Sequence, residues 1–193
     1  MRIISGKFKG AKLYLPKNQI IRPLKDLVRE SIFNFLTHSN KISFKLEKTN
    51  ILDLYSGTGS FGLECVSRGA NTVFFVEKNV EANEILQKNI EKLKVKEVSK
   101  VFFDDAFNVI KKLSKDQSFN IDLIFCDPPF KDLNLNKLIE LISSENLLKK
   151  NGLIIIHRHK NTEEKISNYL KVIDERVYGL SKIFFAKPIL PFS

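Results

Sequence analysis

The feature that most constrains the fold is an alternation of short apolar runs with longer segments of helical periodicity, which begins at residue 50. The apolar runs predict five buried strands, at 51–54, 72–76, 100–103, 121–126 and 153–157. The helical patterns between them lie at 60–68, 80–93, 106–113 and 135–147. This order is typical of a parallel sheet covered by helices, so the sequence predicts an α/β fold.

The N-terminal segment has a different pattern. Two short extended stretches, 2–4 and 11–15, flank a turn rich in Gly and Lys and predict a basic hairpin. Apolar residues at helical spacing then predict an amphipathic helix from about 24 to 37. We therefore divide the chain into an N-terminal extension, 1–40, and a main domain, 41–193.

The C-terminal segment predicts a helix near 162–169, followed by strands at 172–177 and 183–186. The two strands are separated by Tyr178 and Gly179, which predict a tight turn and therefore an antiparallel edge of the sheet.

Charge indicates an anionic partner. The chain has 32 basic and 22 acidic residues, a net charge of +10, and nucleic acid is a common partner of such domains. Lys far outnumbers Arg, so a lysine-rich proteome is a competing explanation. The excess is concentrated in the first 30 residues, however. Predicted nucleic-acid contacts there are Arg2, Lys7, Lys9, Lys12, Arg22 and Arg29.

The sequence disfavours an exported protein and a membrane-spanning protein. The N-terminus has no apolar leader, and no apolar run approaches the length of a membrane span. Cys65 and Cys126 lie in apolar segments without metal-type spacing. We expect a cytoplasmic protein, monomeric, without a metal and without a membrane partner.

A glycine loop follows the first predicted strand and opens a helix. Gly57, Gly59 and Gly62 form a G-x-G-x-x-G pattern, and Glu77 lies 20 residues after Gly57, where an acid would bind a ribose. Small residues there let the backbone approach a ligand closely. The loop alone fits both a nicotinamide enzyme and a methyltransferase.

Asp53 favours the second interpretation. A carboxylate just before the loop suits a cofactor with an ammonium and a sulfonium group, whereas it would repel a pyrophosphate. We therefore predict S-adenosylmethionine as the cofactor. Asp105 is either an acceptor for the adenine amino group or the N-cap of the next helix. The predicted cofactor-binding residues are Asp53, Tyr55, Gly57, Thr58, Gly59, Glu77, Lys78, Asp105 and Ala106.

The predicted catalytic segment is Asp127, Pro128, Pro129 and Phe130, directly after the fourth strand. Adjacent prolines stiffen the backbone and leave carbonyl groups free to accept hydrogen bonds. The Asp127 carboxylate and the Pro128 carbonyl would each accept one hydrogen of an aromatic amine, a poor nucleophile that needs such positioning. Phe130 would stack on a base turned out of its helix.

These residues resemble a known family, the RsmD-type 16S ribosomal RNA (guanine-N2)-methyltransferases, over nearly the whole chain. The matching segments are 1–10, 22–30, 53–64, 67–70, 76–79 and 127–130. The resemblance implies a Rossmann-like, seven-stranded methyltransferase fold with an antiparallel seventh strand. It also implies 16S ribosomal RNA as the partner, either free or within the assembling small subunit, and the guanine at position 966 as the target. The extension 1–40 would then bind RNA.

Some interpretations stay open. Members of the family often have Tyr at the position of Phe130 and an acid near His157. We interpret His157 and Arg158 as a solvated strand end, and Cys126 as a buried side chain rather than a nucleophile. Alternatives to guanine methylation are methylation of adenine N6 or of a protein glutamine, and an inactive RNA-binding assembly factor. A nicotinamide oxidoreductase is a more distant alternative.

Overall fold

The computed structural model describes most of the 193-residue chain, namely residues 1–16, 24, 26–116, 119–162, 166 and 168–189. Arg22, a predicted nucleic-acid contact, lies outside these residues. So does about half of the helix predicted near 162–169, and the described residues of that segment are not helical.

Five α-helices, one short 3₁₀-helix (Lys96–Val98) and seven strands follow one another along the described chain. The helices are α1 (Asp26–His38), α2 (Ser60–Ser67), α3 (Val80–Leu93), α4 (Ala106–Ser114) and α5 (Leu135–Ser144). The strands are β1 (Asn50–Leu54), β2 (Thr72–Val76), β3 (Ser99–Phe102), β4 (Ile121–Cys126), β5 (Leu148–His159), β6 (Leu170–Tyr178) and β7 (Ser181–Pro188).

The strands form one sheet in the order β3-β2-β1-β4-β5-β7-β6. Neighbouring strands from β3 to β5 are parallel, and β7 runs antiparallel to both of its neighbours. The predicted seven-stranded α/β fold with an antiparallel seventh strand is therefore confirmed. The strand order changes direction between β1 and β4, and open α/β sheets bind ligands beside such a point, at the carboxyl ends of the strands.

Each face of the sheet has its own apolar core. One core contains residues of α1, α2 and α3, and the other contains residues of α4 and α5. Side chains alternate between these faces along β1, so Ile51 belongs to the first core, and Leu52 and Leu54 belong to the second. Asp53 occupies a position on the same face as Ile51, which explains why this carboxylate is buried beneath α2.

The predicted N-terminal hairpin is present, but its two arms share a single bridge pair, Arg2 with Lys12. This basic segment also contributes apolar side chains to the core. Ile3 and Leu13 are buried in the same core as α1 and α2. Helix α1 joins that core through Phe33, whose ring stacks on Phe61 of α2 at 5.3 Å.

One predicted boundary is displaced. Helix α5 ends at Ser144, earlier than the predicted 147, and β5 begins at Leu148 rather than at 153. Asn146, between them, has a φ of 49°, a left-handed conformation that neither a helix nor a strand contains. Among the helices of the described segments, none combines the length and apolar character needed to cross a membrane.

Candidate active site

The predicted site residues meet at the carboxyl edge of the sheet. Asp53 near the end of β1 is in register with Phe125 of β4, so the loop after β1 and the segment after β4 emerge side by side. Between β1 and α2 the chain turns sharply. Tyr55, Gly57 and Gly59 all have positive φ, at 60°, 55° and 84°. Glycine adopts this backbone at no steric cost, which explains two of the three residues.

The amide hydrogens of the three loop glycines already have acceptors. Gly57 N donates to the Glu77 carboxylate at 2.7 Å, and Gly62 N donates to Asp53 Oδ2 at 2.9 Å. Gly59 N donates to the carbonyl of Ser56 at 2.8 Å. A pyrophosphate bound by this loop would have to displace carboxylates from these amides, and it would meet their negative charge while doing so.

Asp53 is the most unusual ionisable group at this edge. Its side chain is 1% exposed, and its second oxygen, Oδ1, is buried without a hydrogen-bond partner. Burial raises the pKa of Asp53 well above its ordinary value, and the charges of Asp127 and Glu77 raise it further. Such a carboxylate favours a cationic group as its missing partner.

A small cavity of about 30 Å³ lies next to Asp53 and extends to Asp127, which lies beyond β4. Its wall also contains Tyr55, Ser60 and Phe61. This volume corresponds to roughly one water molecule, and an ammonium group has a similar size. The cavity therefore suits a small cation next to the unpartnered Asp53 Oδ1.

The predicted ribose and adenine residues lie after β2 and β3. Glu77 accepts from Gly57 N and, through its other oxygen, from Asn79 N at 2.7 Å. These two bonds fix the carboxylate and leave each oxygen a further lone pair for a hydroxyl group. The orientation of the Glu77 carboxylate is therefore set by two backbone amides, those of Gly57 and Asn79.

Asp105 is the N-cap of α4, because it accepts from Phe107 N at 3.0 Å. It also forms an ion pair of 2.9 Å with Lys78. That pair raises the pKa of Lys78, first through the hydrogen bond and then through the charge of Asp105. Ala106, the first residue of α4, is buried. The N-cap interpretation is thus confirmed, and a role with adenine stays a prediction.

The segment after β4 presents a carboxylate and a ring. Asp127 is partly exposed, Pro128 is buried, and Phe130 is 39% exposed. The Pro129 carbonyl is already bonded, since it accepts from Asp132 N at 2.8 Å and from Arg158 at 3.2 Å. Cys126 is buried, as expected, and burial raises the pKa of its thiol, which leaves it a poor nucleophile.

The end of β5 does not have the solvated character that we predicted, and this interpretation is wrong. His157 is 7% exposed and lies 2.7 Å from Asp127 Oδ1 through its Nδ1 atom. Arg158 is 1% exposed and donates to the carbonyls of Pro129 and Asp132. Both side chains are directed at the segment after β4. Sequence periodicity did not indicate these contacts, because the partners of His157 and Arg158 lie in a segment that is distant along the chain.

The predicted nucleic-acid contacts that lie within the described residues fall into two groups. The side chains of Arg2, Lys7, Lys9 and Lys12 belong to exposed residues. Arg29 does not, and its predicted role as a phosphate contact needs correction. Its guanidinium is fully buried and donates to the carbonyls of Arg2 and Ser60 and to Asp26.

The hairpin lies along α2, and its tip and its base occupy different ends of that helix. Lys7 N donates to the carbonyl of Ser67 at the end of α2, far from the carboxyl edge of the sheet. The base, with Arg2 and Lys12, lies near the start of α2 and the glycine loop. Of the two ends of the hairpin, the base is therefore the one that lies beside the site.

Two buried polar residues that the sequence analysis assigned no role hold this hairpin in place. Glu64 accepts from Ile4 N and Ser5 N at 2.7 and 3.0 Å. Asn89 of α3 accepts from Tyr14 N and donates to the carbonyls of Tyr14 and Thr58, which links the hairpin exit to the glycine loop. Within the described ranges, no group of three His, Cys, Asp or Glu side chains is placed to bind a metal ion.

Comparison with known proteins finds relatives over nearly the whole chain. The family model described as Conserved hypothetical protein 95 matches residues 1–187. A relative from Buchnera aphidicola subsp. Baizongia pistaciae, named Ribosomal RNA small subunit methyltransferase D, is 34% identical over 166 residues, 86% of this chain and 79% of its own. Its namesake from Haemophilus influenzae is 32% identical over 181 residues, 93% and 90% of the two chains.

A solved structure also resembles this chain over nearly its whole length. The Escherichia coli protein yhhF superposes with a TM-score of 0.80 and 26% identity, covering 99% of each chain. The resemblance to the RsmD-type family is confirmed, and the chain belongs to the Conserved hypothetical protein 95 family, the RsmD family.

Proposed function

We propose that this protein transfers a methyl group from S-adenosylmethionine to the exocyclic N2 amine of a guanine in the RNA of the small ribosomal subunit. Relatives that are named Ribosomal RNA small subunit methyltransferase D, at 34% and 32% identity over most of this chain, support the reaction and the class of RNA. The choice of guanine N2 rests on the resemblance of the N-terminal block and of the segment 127–130.

The observation that carries the choice of cofactor is the occupation of the glycine loop by carboxylates. Asp53 and Glu77 accept the amide hydrogens of Gly62 and Gly57, so the loop presents negative charge where a dinucleotide-binding loop presents free amides. A cofactor with a pyrophosphate is disfavoured at such a loop. A cofactor with an ammonium and a sulfonium group is favoured.

The residues present fit S-adenosylmethionine. Asp53 Oδ1, buried and without a partner, would accept from the ammonium group of the methionine end. Glu77 would bind the ribose hydroxyls, and Asp105 with Ala106 would face the adenine. When bound, this cofactor supplies a methyl group activated by positive charge on sulfur.

The chain's own contribution to the reaction is to hold the amine. Asp127 Oδ1 is bonded to His157, which leaves Oδ2 to accept one amine hydrogen. The Pro128 carbonyl would accept the other hydrogen, while the Pro129 carbonyl is engaged by Arg158. Two fixed acceptors set the orientation of the nitrogen lone pair, and Asp127 can take up the proton that the nitrogen must lose. The exposed Phe130 ring would stack on the base.

RNA would be bound mainly through its phosphates. Arg2 and Lys12 at the base of the hairpin lie nearest the site, and Lys7 and Lys9 would extend the contact along α2. All four residues are exposed. Such contacts contribute affinity more than sequence choice.

The first experiment compares the nucleosides of small-subunit RNA from a strain with and without this protein, by mass spectrometry. We expect loss of one N2-methylguanosine, restored by the wild-type gene and not by Asp127→Ala. An unchanged N2-methylguanosine content, or loss of N6-methyladenosine in its place, would contradict the proposed target.

The second experiment measures methyl transfer by the purified protein with labelled cofactor and small-subunit RNA. Asp127→Ala should lower the rate about a hundredfold, because one charge-assisted acceptor at the reacting atom is removed. Cofactor affinity, measured by calorimetry, should change little, since Asp127 faces the amine. An equal loss of cofactor affinity would place Asp127 in the cofactor pocket.

A further inference from the structure

The end of β5 lies between the segment after β4 and the start of β7. Cys126 at the end of β4 is in register with Ile156 of β5, so Asp127, which follows β4, and His157 of β5 are neighbours. On the other side β5 pairs antiparallel with β7, which begins at Ser181. The sheet topology therefore brings a carboxylate, an imidazole and a hydroxyl together at one edge.

Both ring nitrogens of His157 are engaged. Nδ1 lies 2.7 Å from Asp127 Oδ1, and Nε2 lies 2.9 Å from Ser181 Oγ. An ionised carboxylate only accepts hydrogen bonds, so the hydrogen of the neutral ring must be on Nδ1. Nε2 then accepts from the Ser181 hydroxyl. The Asp127 carboxylate, which only accepts, thus selects this tautomer, and the Ser181 hydroxyl completes it by donating to Nε2.

This arrangement fixes Asp127 in a way that the backbone alone does not. The imidazole is hydrogen-bonded to Oδ1, which leaves Oδ2 available to accept from another group. His157 is almost fully buried, so the ring has little freedom to rotate. Its edge also contacts the Phe130 ring, with 5.5 Å between the ring centroids. One side chain therefore supports both the acceptor and the stacking ring of the proposed site.

We propose that His157 is a positioning residue for methyl transfer, which holds Asp127 with Oδ2 free for the substrate amine and is itself held by Ser181. The proposal rests on the proposed role of Asp127. Its contribution is geometric: a carboxylate released from the imidazole would rotate, and the amine would lose its fixed acceptor.

The test compares His157→Leu with His157→Asn in the purified protein. Leu removes both hydrogen bonds, whereas the Asn side-chain amide can place a donor close to the position of Nδ1. We expect His157→Leu to lower kcat roughly 10- to 100-fold, with the KM for RNA and the cofactor Kd changed less than about threefold. His157→Asn should recover most of the missing kcat.

Two further variants separate positioning from packing. His159→Leu removes the other imidazole against Phe130, at 5.3 Å, without touching Asp127. It should lower kcat much less than His157→Leu does. The double variant Asp127→Asn, His157→Leu should be little slower than Asp127→Asn alone, because the second change acts through a carboxylate that is already gone.

The outcomes are distinct. Normal kcat in His157→Leu overturns the proposal while Asp127→Asn, if slow, still supports the proposed function. Full activity in Asp127→Asn overturns both. A fall in kcat that His157→Asn does not relieve, accompanied by weaker cofactor binding or a lower melting temperature, assigns His157 to the fold and also overturns the proposal.

Discussion

Replacement of Gly6 by Ala tests how tightly the N-terminal hairpin is held, and Gly10 supplies a matched control. Both glycines belong to the hairpin turn and both have a left-handed backbone, with φ of 82° and 86°. A Cβ on Gly6 would lie 1.9 Å from the carbonyl oxygen of Ser67 and 2.4 Å from its carbon. A Cβ on Gly10 would meet nothing within 4 Å. The two substitutions therefore differ in one respect, the contact with α2.

The expected magnitudes follow from that difference. A left-handed Ala costs about 1–2 kcal/mol, partly offset by about 0.4–1 kcal/mol from the smaller entropy of the unfolded chain. Gly10→Ala should therefore destabilise the protein by about 1 kcal/mol. In Gly6→Ala the clash is with backbone atoms, so the turn must move away from Ser67.

That movement breaks hydrogen bonds to the end of α2. Lys7 N donates to Ser67 O at 2.7 Å, Phe8 N donates to Ser67 Oγ at 2.9 Å, and that hydroxyl donates to Ser5 O at 2.6 Å. At about 1 kcal/mol each, Gly6→Ala should cost roughly 3 kcal/mol more than Gly10→Ala.

Urea denaturation of both variants, followed by circular dichroism, measures the difference in the free energy of unfolding. Amide hydrogen exchange of residues 2–13 shows whether the hairpin has loosened. Equal destabilisation by the two substitutions would refute the reasoning, because it would mean that the turn is not held against Ser67.

Three other predictions concern the ligands. Alanine at Lys7, Lys9 and Lys12 together should flatten the plot of log RNA affinity against log salt by roughly 0.7 for each ion pair with a phosphate of single-stranded RNA that the substitutions remove, and an unchanged slope would mean that these lysines only solvate the hairpin. Glu77→Gln should weaken cofactor binding about tenfold in calorimetry, as expected for a hydrogen bond to a charged group; unchanged affinity would exclude Glu77 as a ribose ligand. Burial raises the pKa of Asp53 above the ordinary 3.8, so the folded state retains a proton that the unfolded chain loses, and this group's contribution to stability declines as pH rises above 3.8. In Asp53→Asn, the free energy of unfolding measured with urea should therefore fall less as pH rises, and cofactor binding should weaken; an identical pH dependence in the two proteins would contradict the raised pKa of Asp53.

The sequence predicted those parts of the site that are formed by consecutive residues. The glycine loop and the segment 127–130 each follow an apolar run, and carboxyl ends of parallel strands share one edge of a sheet. Parallel strands place both segments at this edge, and the adjacency of β1 and β4 in the sheet brings them side by side. The N-cap role of Asp105 could be anticipated for the same reason, because a cap is a local interaction.

The parts that the sequence missed depend on long-range pairing. His157 acquires its partners only when β5 lies between β4 and β7, and nothing near it in the chain indicates this. Arg29 and Arg158 were treated as solvated charges, which is the usual state of Arg. Both can be buried because carbonyl groups from other segments accept hydrogen bonds from the terminal nitrogens of their guanidinium groups.

The proposed site has to bind a cationic cofactor and a polyanionic RNA close to each other. This is possible because its acidic and basic side chains differ in burial. Asp53 is 1% exposed, so a bound cation would interact with it at contact distance, little screened by salt. The hairpin lysines are exposed, and their field reaches RNA through water within a Debye length of about 8 Å at physiological salt. Salt should therefore act on the two ligands unequally. RNA affinity should fall steeply as salt rises, while cofactor affinity should change little, because a buried carboxylate and an exposed lysine respond to different surroundings.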